Sequence, residues 1–262
     1  FLKLSTLFFC YFCRMKRIIL TTFSIMLFGS LLNAQAPATN TKDWSKLNLT
    51  GRSADHLVLQ FGTDFWTGKP DSVKTGGGLS RHFNVYFMYD VPFKTNPHYS
   101  VAFGAGIGTS NIFFDDHTSV DVRSSANSLP FKHLDATASH FTKSKITTIY
   151  VQAPVELRYF SNPENPSKSW KFGVGLKVGT LLKAYTKSKN YVNSANLSVY
   201  GKNYIEKKIS NRFFNAADIG LTGRVGYGMV SFDLGYQVNG VLRDGFGPVM
   251  NKVSAGITIS GL

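Results

Sequence analysis

From about residue 56 onward, apolar side chains along this chain recur every second position. The clearest stretch runs from Ser231 to Asn239. Phe232, Leu234, Tyr236 and Val238 fall on one face, and Ser231, Asp233, Gly235, Gln237 and Asn239 on the other. A helix would mix the two sets, whereas a strand separates them completely. The same alternation predicts seven more strands, around 56–66, 81–92, 98–110, 146–160, 169–183, 212–226 and 252–260. Each is long enough to cross a bilayer at a tilt, which takes about 9–11 residues. Pro154 lies inside the fourth strand, where it removes a ladder hydrogen bond, so a bulge or local bend is expected there.

The connections alternate in length. They are long after strands 1, 3 and 5, at about 67–77, 111–145 and 184–211. They are short after strands 2, 4 and 6: Pro92 to Pro97, Ser161 to Lys168, and the tight Gly226-Tyr227-Gly228. The connection after strand 7, Arg243 to Pro248, is outer but short. Long outer loops alternating with short periplasmic turns mark an outer-membrane barrel. The fold class read from this pattern is all-β: a transmembrane antiparallel up-and-down barrel of about eight strands.

A soluble barrel would turn the apolar face inward, and a membrane barrel turns it to lipid. The second face carries glycines at 62, 104, 106, 108, 173, 175, 179, 220, 235 and 256. Small residues mixed with a few charges suit the crowded interior of an eight-stranded barrel. Large aromatics near segment ends (Phe65, Phe83, Tyr99, Tyr159, Trp170 and Tyr227) suit interfacial girdles on the apolar face.

The N-terminus supports export. Met15-Lys16-Arg17 supplies a positive start, Ile18 to Leu32 an apolar run, and Asn33-Ala34 a small-residue cleavage site. Residues 1–14 read as translation upstream of the true start, 15–34 as a signal peptide, 35–54 as a periplasmic lead-in, and 55–262 as the barrel. Both cysteines, Cys10 and Cys13, fall in the leader, which excludes a disulfide framework or thiol chemistry in the mature chain. The leader also holds four basic residues and no acidic one, so a net charge of +14 becomes +10 without it. In an exported chain that excess points to anionic membrane surface, not to nucleic acid.

Seven charged residues share the inward face: Glu156, Arg158, Lys177, Asp218, Arg224, Asp233 and Lys252. Unpaired burial is costly, so they are expected to form a charge network filling the lumen, the alternative being a gated ion path. The third long loop is basic, with Lys187, Lys189, Lys202, Lys207 and Lys208, and contact with lipopolysaccharide is its functional reading. Asp115-Asp116-His117 suggests acid–base chemistry at a barrel rim, but no second pair stands out. The six histidines show no metal spacing, and His133 and His140 read as solvated loop residues. No phosphate loop or nucleophile elbow occurs, so neither a cofactor nor a metal is expected.

The strand Ile149-Tyr-Val-Gln-Ala-Pro-Val-Glu-Leu-Arg-Tyr159, the glycine-rich Phe172 to Gly179 and the terminal Val253 to Leu262 resemble the PorT-like small outer-membrane barrels over roughly residues 55–262. The resemblance implies a non-catalytic barrel, its best-known member being tied to protein secretion across the outer membrane. It also accounts for a tolerated Pro154. The expected protein is then a monomeric outer-membrane barrel with periplasmic termini, in contact with lipid and lipopolysaccharide and with secretion-system proteins as possible partners. Narrow porin-like conduction and rim hydrolysis through Asp116 and His117 are the alternatives.

Overall fold

The computed structural model describes residues 56–71, 73–76, 80–115, 117–135 and 138–261. The expected leader, the lead-in to residue 54 and Asp116 lie outside them. The strands are β1 (Leu57–Thr67), β2 (Arg81–Pro92), β3 (Tyr99–Phe114), β4 (Thr118–Val120), β5 (Phe131–His133), β6 (His140–Phe160), β7 (Trp170–Val192), β8 (Ile205–Ile209), β9 (Ala217–Tyr227), β10 (Val230–Gln237) and β11 (Asn251–Ser260). Eight of them, β1, β2, β3, β6, β7, β9, β10 and β11, pair in that order, all antiparallel. The β1–β11 ladder closes the ring, so this is the up-and-down barrel that the alternation predicts.

The ladder is staggered. Starting at Val174, pairing runs through Gly223, Leu234, Ala255, Thr63, Arg81, Asn111 and Thr147, and returns to β7 at Tyr185. A closed sheet that returns so far along the same strand must tilt its strands against the barrel axis. The outward face carries exposed Phe61, Phe87, Phe103, Val174, Leu176, Phe232 and Ile257, the apolar belt that lipid requires. Among the described residues no helix is long and apolar enough to cross a membrane.

Three expectations are corrected. The stretches 111–145 and 184–211 are not simply loops, because β6 has 21 residues and β7 has 23, well beyond the roughly 9–11 that a bilayer takes. Their upper halves form a two-stranded ladder from Ile149↔Lys183 to His140↔Val192, widened by β8 on β7; β4 and β5 pair separately. The bulge expected at Pro154 lies instead between Ile149 and Tyr150, opposite Leu182. Beside Pro154 the β3–β6 ladder omits two pairs, between Phe103↔Val155 and Gly106↔Gln152, without losing register. The missing N–H therefore costs ladder bonds but forces no extra residue. The short turn after β9 is Gly228-Met229, with Tyr227 paired to Val230 and Gly228 at φ 62.

Two apolar clusters face the lumen. On the short-turn side Val58, Tyr86, Met88 and Ala102 cluster, with buried Asp90, Ser100 and Arg158 nearer the turns. At the other end a larger cluster draws on every long connection: Val73, Leu129, Phe213 and Met250 pack with Trp66 and Ile112 from the strand tops. Backbone hydrogen bonds stitch these connections together, including Leu129 N–H to Phe246 O at 2.8 Å and Arg243 N–H to Phe213 O at 2.9 Å.

Candidate functional site

Outside these two clusters the buried inward positions are largely polar, and all seven predicted lumen charges are buried. Their contacts gather around three carboxylates, Glu156, Asp233 and Asp218. Toward the short-turn end, Arg158 Nε donates to Glu156 Oε2 at 2.9 Å and Arg224 Nη2 donates to the same oxygen at 3.0 Å. The Arg158 guanidinium also lies 3.6 Å from Asp90, which accepts from Ser100 at 2.7 Å. Two guanidiniums thus share one carboxylate, with Asp90 offsetting the second positive charge.

Asp233, opposite Arg224 in the β9–β10 ladder, accepts from Thr258 at 2.7 Å, and its other oxygen lies 4.0 Å from His82 Nε2. His82 Nδ1 is 2.9 Å from Asp64, which also accepts from Ser110 Oγ. Asp218 accepts from Gln152, whose carbonyl takes the Tyr86 hydroxyl at 2.6 Å. Lys177 and Lys252 lie within electrostatic reach of these carboxylates. Asp64, His82 and Asp90 were missed as network members, although the alternation places them on the same inward face.

The basic residues of the third long connection separate onto two faces. Lys208 donates to Asp121 at 3.1 Å and lies 3.0 Å from Glu206. Partial burial lowers its pKa, but these two hydrogen bonds outweigh it and hold the ammonium above the usual lysine range. Lys202 sits in the turn before β8. Lys187, Lys189 and Lys207 face the other way, because the bulge at Leu182 shifts the phase of β7. Below it the odd-numbered Lys177 points inward; above it Ala184 and Thr186 are buried, while Lys187 and Lys189 are exposed. Register then sets Lys145, Lys187 and Lys207 directly opposite one another across β6, β7 and β8, with Lys143 opposite Lys189. Lys143 and Lys145 were missed because β6 appeared to begin at residue 146.

His117, His133 and His140 come together in space. The His117 ring centre lies 4.6 Å from that of His140 and 6.3 Å from that of His133. His140 is buried, contrary to the solvated reading, and its Nδ1 is 2.9 Å from the Ala138 carbonyl. Among the described residues no group of three or more His, Cys, Asp or Glu is arranged to hold a metal ion.

Comparison with known proteins follows the architecture. A family model described as an outer membrane protein beta-barrel domain matches residues 39–246. No curated protein matches the sequence. Among solved structures, Ail, the attachment invasion locus protein of Yersinia pestis, aligns at 11% identity with a TM-score of 0.33, covering 78% of this chain and 94% of that one.

Proposed function

We propose, from the premise that this chain belongs to the outer-membrane β-barrel domain family, that it is a sealed barrel with a structural or docking role, neither a pore nor an enzyme. Its termini then face the periplasm and its long connections the exterior. The observation that supports this is the burial of the inward side chains. Paired charges lie on the short-turn side of the lumen, and the apolar cluster of Trp66, Ile112, Phe213 and Met250 lies at the long-connection end. An ion entering would have to displace close-packed side chains and shed its water among apolar groups, a cost of several kcal/mol at least. Eight strands leave little room in any case.

The hydrolase alternative would use His117, whose ring lies beside those of His140 and His133, with Asp116, which lies outside the described residues. A secretion-associated role of the PorT-like kind fits a sealed barrel, which can serve such a system only by docking. Recording from the purified protein in a planar lipid bilayer tests the reading. No unitary current is expected between −100 and +100 mV, on the order of a resting membrane potential; reproducible ion-selective steps would overturn it.

A further inference from the structure

The upper sheet presents an arrangement that folding alone disfavours. Lys145, Lys187 and Lys207 form one cross-strand row, and Lys143 faces Lys189 in the next. Like charges directly opposite each other on a sheet face repel and destabilise it. The outward positions of this stretch hold no acidic residue: Phe141, Lys143 and Lys145 on β6, Lys183, Tyr185, Lys187, Lys189 and Tyr191 on β7, and Ile205, Lys207 and Ile209 on β8. The carboxylates nearby, Glu206 and Asp121, engage Lys208 instead. Aromatic rings support the row, with Lys207 Nζ 4.1 Å from the Tyr185 ring centre and Lys145 Nζ 5.4 Å from that of Phe113. Lys145 also donates to Asn111 at 2.8 Å, which fixes its direction.

Height identifies the counter-charge. Along β7 the run of exposed aliphatic residues ends at Leu182, and Lys183 follows it, paired with Ile149. From Ile149 to Lys145 the strand climbs on the order of 10 Å, at ~3.3 Å per residue and the usual tilt. That is the depth of lipid headgroups, not of free solution. The face is also outward and continuous, along β6 and β7, with the lipid-facing surface below it.

We propose that this lysine face binds the phosphate groups of an outer-leaflet glycolipid, whose acyl chains lie along the apolar belt beneath. The anions neutralise the row and turn its repulsion into attraction. The inference rests on the bilayer placement given above but not on the sealed lumen, so a conductance result leaves it standing.

The test uses the detergent-solubilised full chain and three probes: diphosphorylated lipid A, the same lipid without its phosphates, and a soluble sulfated oligosaccharide. Affinity for the first should exceed that for the second by tenfold or more and fall with added salt. The triple variant K145Q/K187Q/K207Q should bind lipid A about a hundredfold more weakly, at about fivefold per lysine near a charged surface. The corresponding Lys→Arg triple variant should retain binding, and K202Q/K208Q should leave it unchanged. Without lipid, the Gln triple variant should resist urea at least as well as the parent, because repulsion is relieved. Equal binding of phosphorylated and dephosphorylated lipid would overturn the proposal, as would equal loss in K202Q/K208Q. Preference for the oligosaccharide over lipid A would replace the glycolipid with a polysaccharide ligand.

Discussion

Glu156 is the residue on which the lower lumen turns, because one of its oxygens accepts from both Arg158 and Arg224. Removing it takes from two buried guanidiniums the carboxylate that they share, leaving Asp90 beside Arg158 and Asp233 opposite Arg224. Breaking a buried pair from one side costs ~3–5 kcal/mol, far more than the intact pair contributes. Glu156→Leu should therefore lower stability by about that amount in urea unfolding of the micelle-bound protein; a loss below about 1 kcal/mol would mean that the arginines have other partners. That these residues face inward could be read from period-two alternation alone. Which of them meet could not. Alternation assigns a face but not a height, and height depends on the stagger that carries the ladder from Val174 round to Tyr185. Asp64 and His82 meet diagonally between β1 and β2, where His82 stands opposite Gly62, so their 2.9 Å contact depends on register and has no signature along the chain.

At the scale of the element, the single extra residue at Leu182 decides what the upper half of β7 presents. Nothing in Thr180-Leu181-Leu182-Lys183 announces a bulge, since no glycine or proline marks it. The proline that does stand in a strand, Pro154, produces only a gap in the ladder. Eight strands were legible because their alternation persists across the bilayer. The upper ladder was less legible because its lysines obscure the apolar period there. Deleting Leu182 should remove the bulge and join the two halves of β7 in one regular phase, with Lys177, Ala184 and Thr186 still inward and Lys187 and Lys189 still outward. The expected readout is unchanged amine-reactive labelling of Lys187 and Lys189, followed by mass spectrometry. Slower labelling of the two lysines would mean that Leu182 is not the extra residue.

For the whole molecule, the apolar cap sets the behaviour of the long-connection end. Such connections usually exchange their amide hydrogens quickly, having few buried contacts. Here Phe213 and Phe214 are fully buried, and the Asn215 N–H bonds to the Val241 carbonyl at 3.0 Å. Amides at 213–215 and 241–243 should thus exchange on the timescale of the barrel strands, measured by hydrogen–deuterium exchange in micelles; exchange within seconds would show an open cap. The cap was invisible in the sequence because its contributors are single apolar residues in aperiodic stretches. Val73, Leu129, Phe213 and Met250 come from four connections far apart along the chain. An antibody or phage that recognises this end therefore reads a discontinuous determinant, one that no single synthetic loop peptide reproduces and that vanishes when any one of the four segments is withdrawn.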